Sequence, residues 1–322
     1  MNQYSIVSIG VEMQSRYTGI IMPLGRLMAA IQDKVVSLDR AGAMIAERKV
    51  VSLAGSHSVN SPMALIRAAI RAGAGGLSII PPVTTSIAAD MLIAAGCVDT
   101  FYLCYIGFET LGFAPAFRAA AEAGTINVIE GDEPFVMLGT RAAAGGYPFI
   151  PVNKGVYEGT DLPRLNPMLK KVTDPFSGEE VYAIPALKAD VCILHAQAAD
   201  QQGNAQFWGG NNQELDKAMA ADYVVVSTER LVSVDATRRD VDRVSLPGHM
   251  VDAVVQVPYG AHPTASPQFY GTDEAHLKTY FEAVHGGRTD EYLDRFVRNP
   301  AAHQDYLNEV DLGALFELQK NA

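Results

Sequence analysis

The chain has 322 residues, 48% of them apolar and 19% charged, enough to bury a sizeable core and too apolar for a disordered chain. Its net charge of −11 argues against nonspecific nucleic-acid binding, which needs lysine and arginine to displace counterions. An anionic ligand remains compatible, because local backbone N–H groups hold phosphates regardless of overall charge.

The first 35 residues read as an N-terminal extension. The apolar stretch Ile20–Ile31 is broken by Arg26 and is too short to span a bilayer. Its flanks fit a secretory signal poorly, and Met28 offers an alternative start. Cys97, Cys104 and Cys192 form no CxxC pair, so neither a disulfide framework nor a zinc site is indicated. Reduced thiols in a cytoplasmic protein without a bound metal or a membrane contact are expected.

From residue 36 onward, strand and helix patterns alternate. This predicts an α/β fold, an open, mostly parallel sheet flanked by helices. The predicted strands are Lys49–Ala54, Leu77–Ile80, Thr100–Ile106, Thr125–Glu130, Val191–His195, Tyr223–Ser227 and Val251–Val257. The predicted helices between them are Pro62–Arg71, Ala88–Ala95, Pro115–Ala123, stopped by Gly124, and Phe135–Gly145. Residues 153–180 hold several Gly and Pro and no long apolar period, which predicts an excursion or flap across the sheet edge. Beyond Asp273 the chain is helical and polar, and residues 286–322 form a C-terminal helical segment.

Ligands favour the C-terminal ends of parallel strands, so the turns there are the candidate site. The turn holding Gly55, Ser56, His57 and Ser58 lets a backbone approach a ligand, and the helix after it offers N–H groups to an anion. It is not GxGxxG, and an ordinary βα turn explains it equally. Thr84, Thr85 and Ser86 follow the next strand; they cap the helix near Ile87, line a pocket, or do both. Gly107 and Glu109 follow a third strand. A carboxylate between Gly107 and Gly112 is either a desolvated general acid or base or a surface loop residue. Glu130, Asp132 and Glu133 precede a helix, where negative charge is electrostatically favoured; the alternative is one carboxylate turned into a cleft. His195 ends a strand and reads as structural, with Asp200 and Asn204 holding the following loop and Gly203 supplying a positive φ. His262 either meets a ligand or fixes its Pro-rich turn. GxSxG, P-loop and HExxH motifs are all missing.

The segments HAQAADQQGNAQFWGG (195–210) and VDAVVQVPYGAHP (251–263) resemble α subunits of glutaconate CoA-transferase, a family I CoA-transferase. YPFIPV (147–152) and AIPALKADVCILHA (183–196) fit in the same order, and the resemblance covers roughly residues 36–285. It implies the CoA-transferase fold, related to the NagB/RpiA-like fold, and a β-type partner subunit in a heterodimer or heterotetramer. It also implies coenzyme A carried as a substrate thioester. A glutamate on the β-type partner attacks the acyl-CoA, giving an acyl-glutamyl anhydride, then an enzyme thioester that an acceptor carboxylate discharges. The family's first glycine-rich turn commonly reads Gly-Gly-Phe; here it is Ala54-Gly55-Ser56, with His57 and Ser58 next. Relatives of the same architecture open a steroid-derived ring or decarboxylate glutaconyl-type thioesters. In the ring-opening ones the α subunit carries an important glutamate, which matches Glu133 here, with Glu130 second. Three functions are therefore open: a CoA-transferase α subunit, a hydrolase or decarboxylase using Glu133 or Glu109, and a binding subunit that shapes a partner's site.

Overall fold

A computed structural model of the chain describes residues 33–210 and 213–320. The expected N-terminal extension lies outside the described residues apart from its last three. There the chain already joins the sheet: Val254 N–H donates to Lys34 O at 2.8 Å, and Lys34 Nζ donates to the carbonyls of Gly248 and Val251 at 2.8 and 2.7 Å.

The strands, in chain order, are β1 (Val50–Leu53), β2 (Leu77–Ile80), β3 (Thr84–Thr85), β4 (Val98–Tyr102), β5 (Tyr105–Ile106) and β6 (Asn127–Ile129). They continue with β7 (Phe149–Asn153), β8 (Lys170–Thr173), β9 (Glu180–Pro185), β10 (Ala189–Asp200), β11 (Ala205–Gln206), β12 (Ala221–Val232) and β13 (Ala253–Gln256). Among the described residues the main sheet runs β13-β12-β10-β1-β2-β4-β6, every neighbouring pair parallel, with β11 antiparallel on β10. The expected open parallel sheet is therefore present. Helices cover both faces, so its central strands are buried on both sides, which is why β1 and β10 read as almost uninterrupted apolar runs.

Two strands exceed their expected lengths. Val191–His195 and Tyr223–Ser227 are the centres of the twelve-residue strands β10 and β12, which pair from Ala189↔Ala221 to Asp200↔Val232. The alanines and polar residues after His195 hide the continuation, since they carry no β-branched signal. Conversely, the expected Thr100–Ile106 strand divides. β4 ends at Tyr102, and β5 leaves the main sheet to pair with β3.

The helices follow their local chemistry. Met63–Arg71 buries every residue from Met63 to Ala69. Each fully buried Leu or Ile there contributes about 1.5–3 kcal/mol. Pro115–Ala123 begins on a proline and ends at Gly124, whose φ of 67° is the left-handed stop expected of it. Its first N–H groups, on Ala116 and Phe117, donate to the buried Asp90 carboxyl at 3.3 and 2.7 Å, and burial pushes that carboxyl up to about 6.

Residues 153–180 are more ordered than a loop excursion. β7, β9 and β8 make a small antiparallel sheet beside the main one, with the short helix Leu162–Leu165 in its first connection. Alternation such as Phe149–Asn153, half-buried at every second residue, is too short to stand out in the sequence.

The C-terminal helices Glu274–His285, Thr289–Leu293, His303–Val310 and Leu312–Lys320 pack on the main core through Tyr280, Leu293, Val297, Tyr306 and Leu315. After Leu293 the helix widens into a looser turn over Asp294–Arg298. Arg67 locks this layer down: its guanidinium lies 3.6 Å from the Tyr306 ring centre and donates to His262 O at 3.1 Å.

Candidate functional site

The turns after β1, β2 and β6 leave the main sheet at one rim, at the C-terminal ends of parallel strands, and the β3–β5 pair stands beside them. Chain order reverses beside β1: the chain proceeds outward through β2, β4 and β6, then returns to β10 on the other side of β1. That switch point opens a crevice, and the Gly55–Ser58 turn sits at its mouth.

Two cavities occupy this rim. The larger, about 450 Å³, is lined by His57, Ser58, Ser86, Gly107 and Glu109 together with the helix Glu274–His285. The smaller, about 260 Å³, is lined by Gly55, Thr84 and Glu133, with Val83, Met137 and Gln213. Eight expected residues thus line one or other of two cavities. Ser56 and Thr85 line neither. Ser56 is committed to the turn, its N–H on Val59 O and its carbonyl on the Ser61 hydroxyl, both at 2.8 Å. Thr85 is fully buried in the β3–β5 ladder.

The first turn is shaped by Gly55, whose φ is +86° and where an added Cβ would lie 2.5 Å from Asn60 O. The helix start after it does not offer its first N–H groups to an anion as expected: Met63 N donates to Ser61 O and Ala64 N to Gly260 O, both at 2.8 Å. The hydroxyls of Thr84–Ser86 do not cap the next helix either. Ser86 stands at the N-cap without a side-chain cap bond, and its hydroxyl donates to His57 O instead.

Glu109 opens a tight turn, Glu109–Leu111, at φ +47°, a left-handed conformation that costs about 1–2 kcal/mol for a residue with a Cβ. Its carboxylate is 61% exposed and lies 2.7 Å from His57 Nε2, so it is hydrogen-bonded at the water-facing rim and not desolvated. His57 Nδ1 lies 3.2 Å from the Thr84 hydroxyl.

The acidic turn divides its three carboxylates. Asp132 is the N-cap of helix Glu133–Ala144, accepting from Phe135 N at 2.8 Å and from the Tyr157 hydroxyl at 3.1 Å. Glu133 begins that helix, two residues earlier than expected, and lines the smaller cavity. The Glu130 carbonyl accepts from Asn166 Nδ2 at 2.6 Å. Tyr157 and Asn166 belong to the 153–180 segment, which therefore braces this turn. Cys104 lies close by; burial, with Asp132 and Glu133, pushes its thiol up to about 11, so it stays protonated at neutral pH.

The distinctive histidines serve the frame. His195 is buried, with Nε2 2.8 Å from Glu229 Oε1 and Nδ1 3.0 Å from Ser227 Oγ. Asp200 Oδ1 accepts from the N–H groups of Gln202 and Asn204, and Gly203 has φ +91°, as expected of that turn. His262 is buried between the Tyr306 hydroxyl at 2.6 Å and Asp273 at 3.0 Å, and so fixes its turn.

The sequence missed Gln213, Met137, Glu274 and Lys278. No local signal marks them: the last two lie on a helix legible only as polar, and Gln213 takes an isolated left-handed turn at φ 69°. Among the described residues no group of three or more His, Cys, Asp or Glu is placed to hold a metal ion, and no helix is long and apolar enough to cross a membrane.

A parallel α/β sheet with a cleft at its switch point is the architecture of enzymes that bind acyl thioesters and of many others, and comparison decides between them. The family model described as "Coenzyme A transferase" matches residues 35–257. The α subunit of glutaconate CoA-transferase from Acidaminococcus fermentans is 34% identical over 71% of this chain and 77% of its own length. The crystal structure of that enzyme superposes with a TM-score of 0.84 at 30% identity, covering 88% of this chain and 95% of the other. The IpdA subunit of the cholesterol ring-cleaving hydrolase of Rhodococcus jostii is 32% identical over 84% of this chain and 92% of its own. An uncharacterised protein of Archaeoglobus fulgidus is 35% identical over 86% of this chain, which spans 62% of that protein's length. The chain belongs to the coenzyme A transferase family, a family of enzymes, and is of its α-subunit type.

Proposed function

We propose that this chain is the α subunit of a heteromeric CoA-transferase that moves coenzyme A between an acyl-CoA and a small carboxylic acid, dicarboxylic acids included. The observation that carries this reading is the pair of adjoining cavities at the switch-point rim, open to the side and walled on this chain by Gly55, His57, Thr84, Glu109 and Glu133. Half a cleft of this kind suits a second polypeptide that closes it. In this reading the nucleophilic glutamate stands on that β-type partner. The present chain supplies pocket walls, hydrogen bonds and exclusion of water, so that a reactive acyl-enzyme meets a carboxylate and not solvent. The test is co-expression with a β-type chain, followed by exchange kinetics. Ping-pong kinetics, together with a borohydride-sensitive thioester on the partner's glutamate, support the reading. An intermediate that never forms, with product appearing in the absence of an acceptor acid, overturns it.

One observation favours a second reading, hydrolysis or decarboxylation of a CoA thioester by a glutamate of this chain. Glu133 begins a helix and lines the smaller cavity, where a carboxylate is placed to act as an acid or base. The ring-cleaving hydrolase subunit is about as similar to this chain as the transferase subunits are. Turnover without acceptor, abolished by Glu133→Gln, distinguishes this reading from the first.

A further inference from the structure

Three side chains from three separate turns meet in a line across the rim. His57 stands in the middle, with Nε2 2.7 Å from Glu109 Oε1 and Nδ1 3.2 Å from Thr84 Oγ1. Glu109 and His57 line the larger cavity, and Thr84 lines the smaller one with Glu133. The imidazole therefore joins a residue of the larger cavity to one of the smaller.

The line is held at both ends. The Ser86 hydroxyl donates to the His57 carbonyl. Thr84 is fixed in register against Tyr105, and Thr85 against Ile106. The Gly107 N–H donates to Thr85 O at 3.0 Å, which ties the Glu109 turn to the Thr84 strand. Phe108 N–H and Gly112 O close that turn at 2.8 Å, and Glu109 keeps its left-handed φ of +47° within it.

Proton counting then fixes the roles. An ionised carboxylate only accepts, so His57 Nε2 is the donor to Glu109. In the neutral ring Nδ1 is left as the acceptor, and the single hydroxyl proton of Thr84 points at it. The lone pairs of Thr84 Oγ1 are then left to accept, on a residue that lines the smaller cavity. We propose that Glu109 and His57 are positioning residues that fix the Thr84 hydroxyl as a hydrogen-bond acceptor in the cleft, where it receives an amide N–H of the pantetheine arm of the bound acyl-CoA. The orientation follows from these contacts with the His57 ring neutral; the identity of the donor rests on the CoA-transferase family reading, since pantetheine amides are the neutral donors every acyl-CoA carries. The place matters, because His57 stands within the turn where the resembled family has Gly-Gly-Phe.

The two parts are tested separately. Histidine-selective ¹⁵N labelling of the full chain resolves its seven histidines, and the His57 signal is assigned from its loss in His57→Gln. The expected spectrum shows His57 protonated at Nε2 and bare at Nδ1 when neutral, and a mixture of tautomers in Glu109→Ala. A His57 protonated at Nδ1, or a spectrum that Glu109→Ala leaves unmoved, overturns the relay whatever the enzyme's reaction. In the assembled α–β enzyme, Thr84→Val and His57→Gln each raise KM for acyl-CoA about 3- to 10-fold with kcat little changed, the size of one lost hydrogen bond. Thr84→Ser restores KM, and the double variant is no worse than Thr84→Val alone. Multiplicative effects, or a KM that Thr84→Ser fails to rescue, overturn the positioning role. An assembled enzyme with no acyl-CoA turnover at all refutes the pantetheine assignment and leaves the spectroscopic result to judge the relay.

Discussion

Glu229 is the acceptor on which the frame of the rim converges, and its removal should be costly. Oε1 accepts from His195 Nε2 at 2.8 Å and from the Tyr270 hydroxyl at 2.5 Å, while Oε2 accepts from Tyr259 N–H at 2.7 Å. His195, Glu229 and Tyr270 lie in the interior, and Tyr259 is half-buried. Burial, with the carboxylate's charge, pushes the Tyr270 phenol well above its ordinary range, so that hydroxyl remains a donor. Glu229→Ala strands three donors at once, two of them buried. Leaving a buried donor without its acceptor costs about 1–3 kcal/mol, so the two buried ones together cost about 2–6 kcal/mol. Glu229→Gln keeps the acceptor on one side but turns an NH2 toward a backbone N–H, at about 2 kcal/mol. The consequence travels to the site. Gly260 lies so close to His195 that an added Cβ would be 2.7 Å from its ring, and the Gly260 carbonyl accepts from Ala64 N–H at the helix start behind the Gly55 turn. Further along, Ala265 N–H donates to Ser58 O at 2.7 Å and Thr272 Oγ1 to the same carbonyl at 3.1 Å. Urea denaturation at fixed protein concentration, read by tryptophan fluorescence and by circular dichroism, measures the loss. A Glu229→Ala protein within about 1 kcal/mol of wild type would refute the claim that this carboxylate anchors the frame.

Three further perturbations follow from the same geometry. Lys217 is buried with Nζ 2.9 Å from Pro81 O, and burial lowers its ammonium to about 8 from an ordinary 10.5. Between those values the unfolded chain binds more protons than the folded one, so stability should rise with pH across roughly pH 8–10.5, by up to about 3 kcal/mol, and Lys217→Met should flatten that rise in pH-dependent denaturation. Gly55→Ala combines a φ of +86° with a Cβ 2.5 Å from Asn60 O, and should cost at least about 2 kcal/mol by thermal unfolding while lowering turnover in the assembled enzyme. Glu133→Gln should change stability by less than about 1 kcal/mol, since the residue is exposed at a helix start, and should leave CoA exchange within about tenfold of wild type. A loss of about 10²–10⁴, the usual range for a lost acid or base, would move the catalytic group onto this chain.

What could be read from the sequence follows the physics of each signal. A strand buried on both faces reads as a run of Val, Ile and Leu, so β1, β2 and the centres of β10 and β12 were visible. Their outer halves were not, because Ala196, Ala198 and Ala199 pair as well as valines once flanked by a long partner strand. Glycine and proline punctuation located Gly124 and Gly203 correctly, since only a left-handed residue fits there. The small antiparallel sheet escaped because three strands of four to six residues, mostly half-exposed, carry too few alternations to register. At the site, each turn was legible as a turn at a strand's C-terminal end. That His57, Thr84 and Glu109 touch was not, because their contact depends on β5 leaving the main sheet to pair with β3.

The segments that carry the family resemblance are not the ones that line the cavities. His195, Asp200 and Asn204 hold a strand end and its turn, and Gly260 and His262 hold the turn packed upon it. Such residues recur among proteins that share a frame, because replacing any of them strands buried polar atoms or pushes a Cβ into a neighbour. They therefore report fold and family strongly and chemistry weakly. The residues that line the cavities, His57, Thr84, Glu109 and Glu133, sit on turns or at the first residue of a short strand or a helix, so their side chains can change with less disturbance of that frame. The departure at residues 54–58 falls in this second set. If the His57 turn sets the acyl-CoA specificity of this chain, as we propose, substitution there should alter which acyl-CoA is accepted before it alters whether the protein folds.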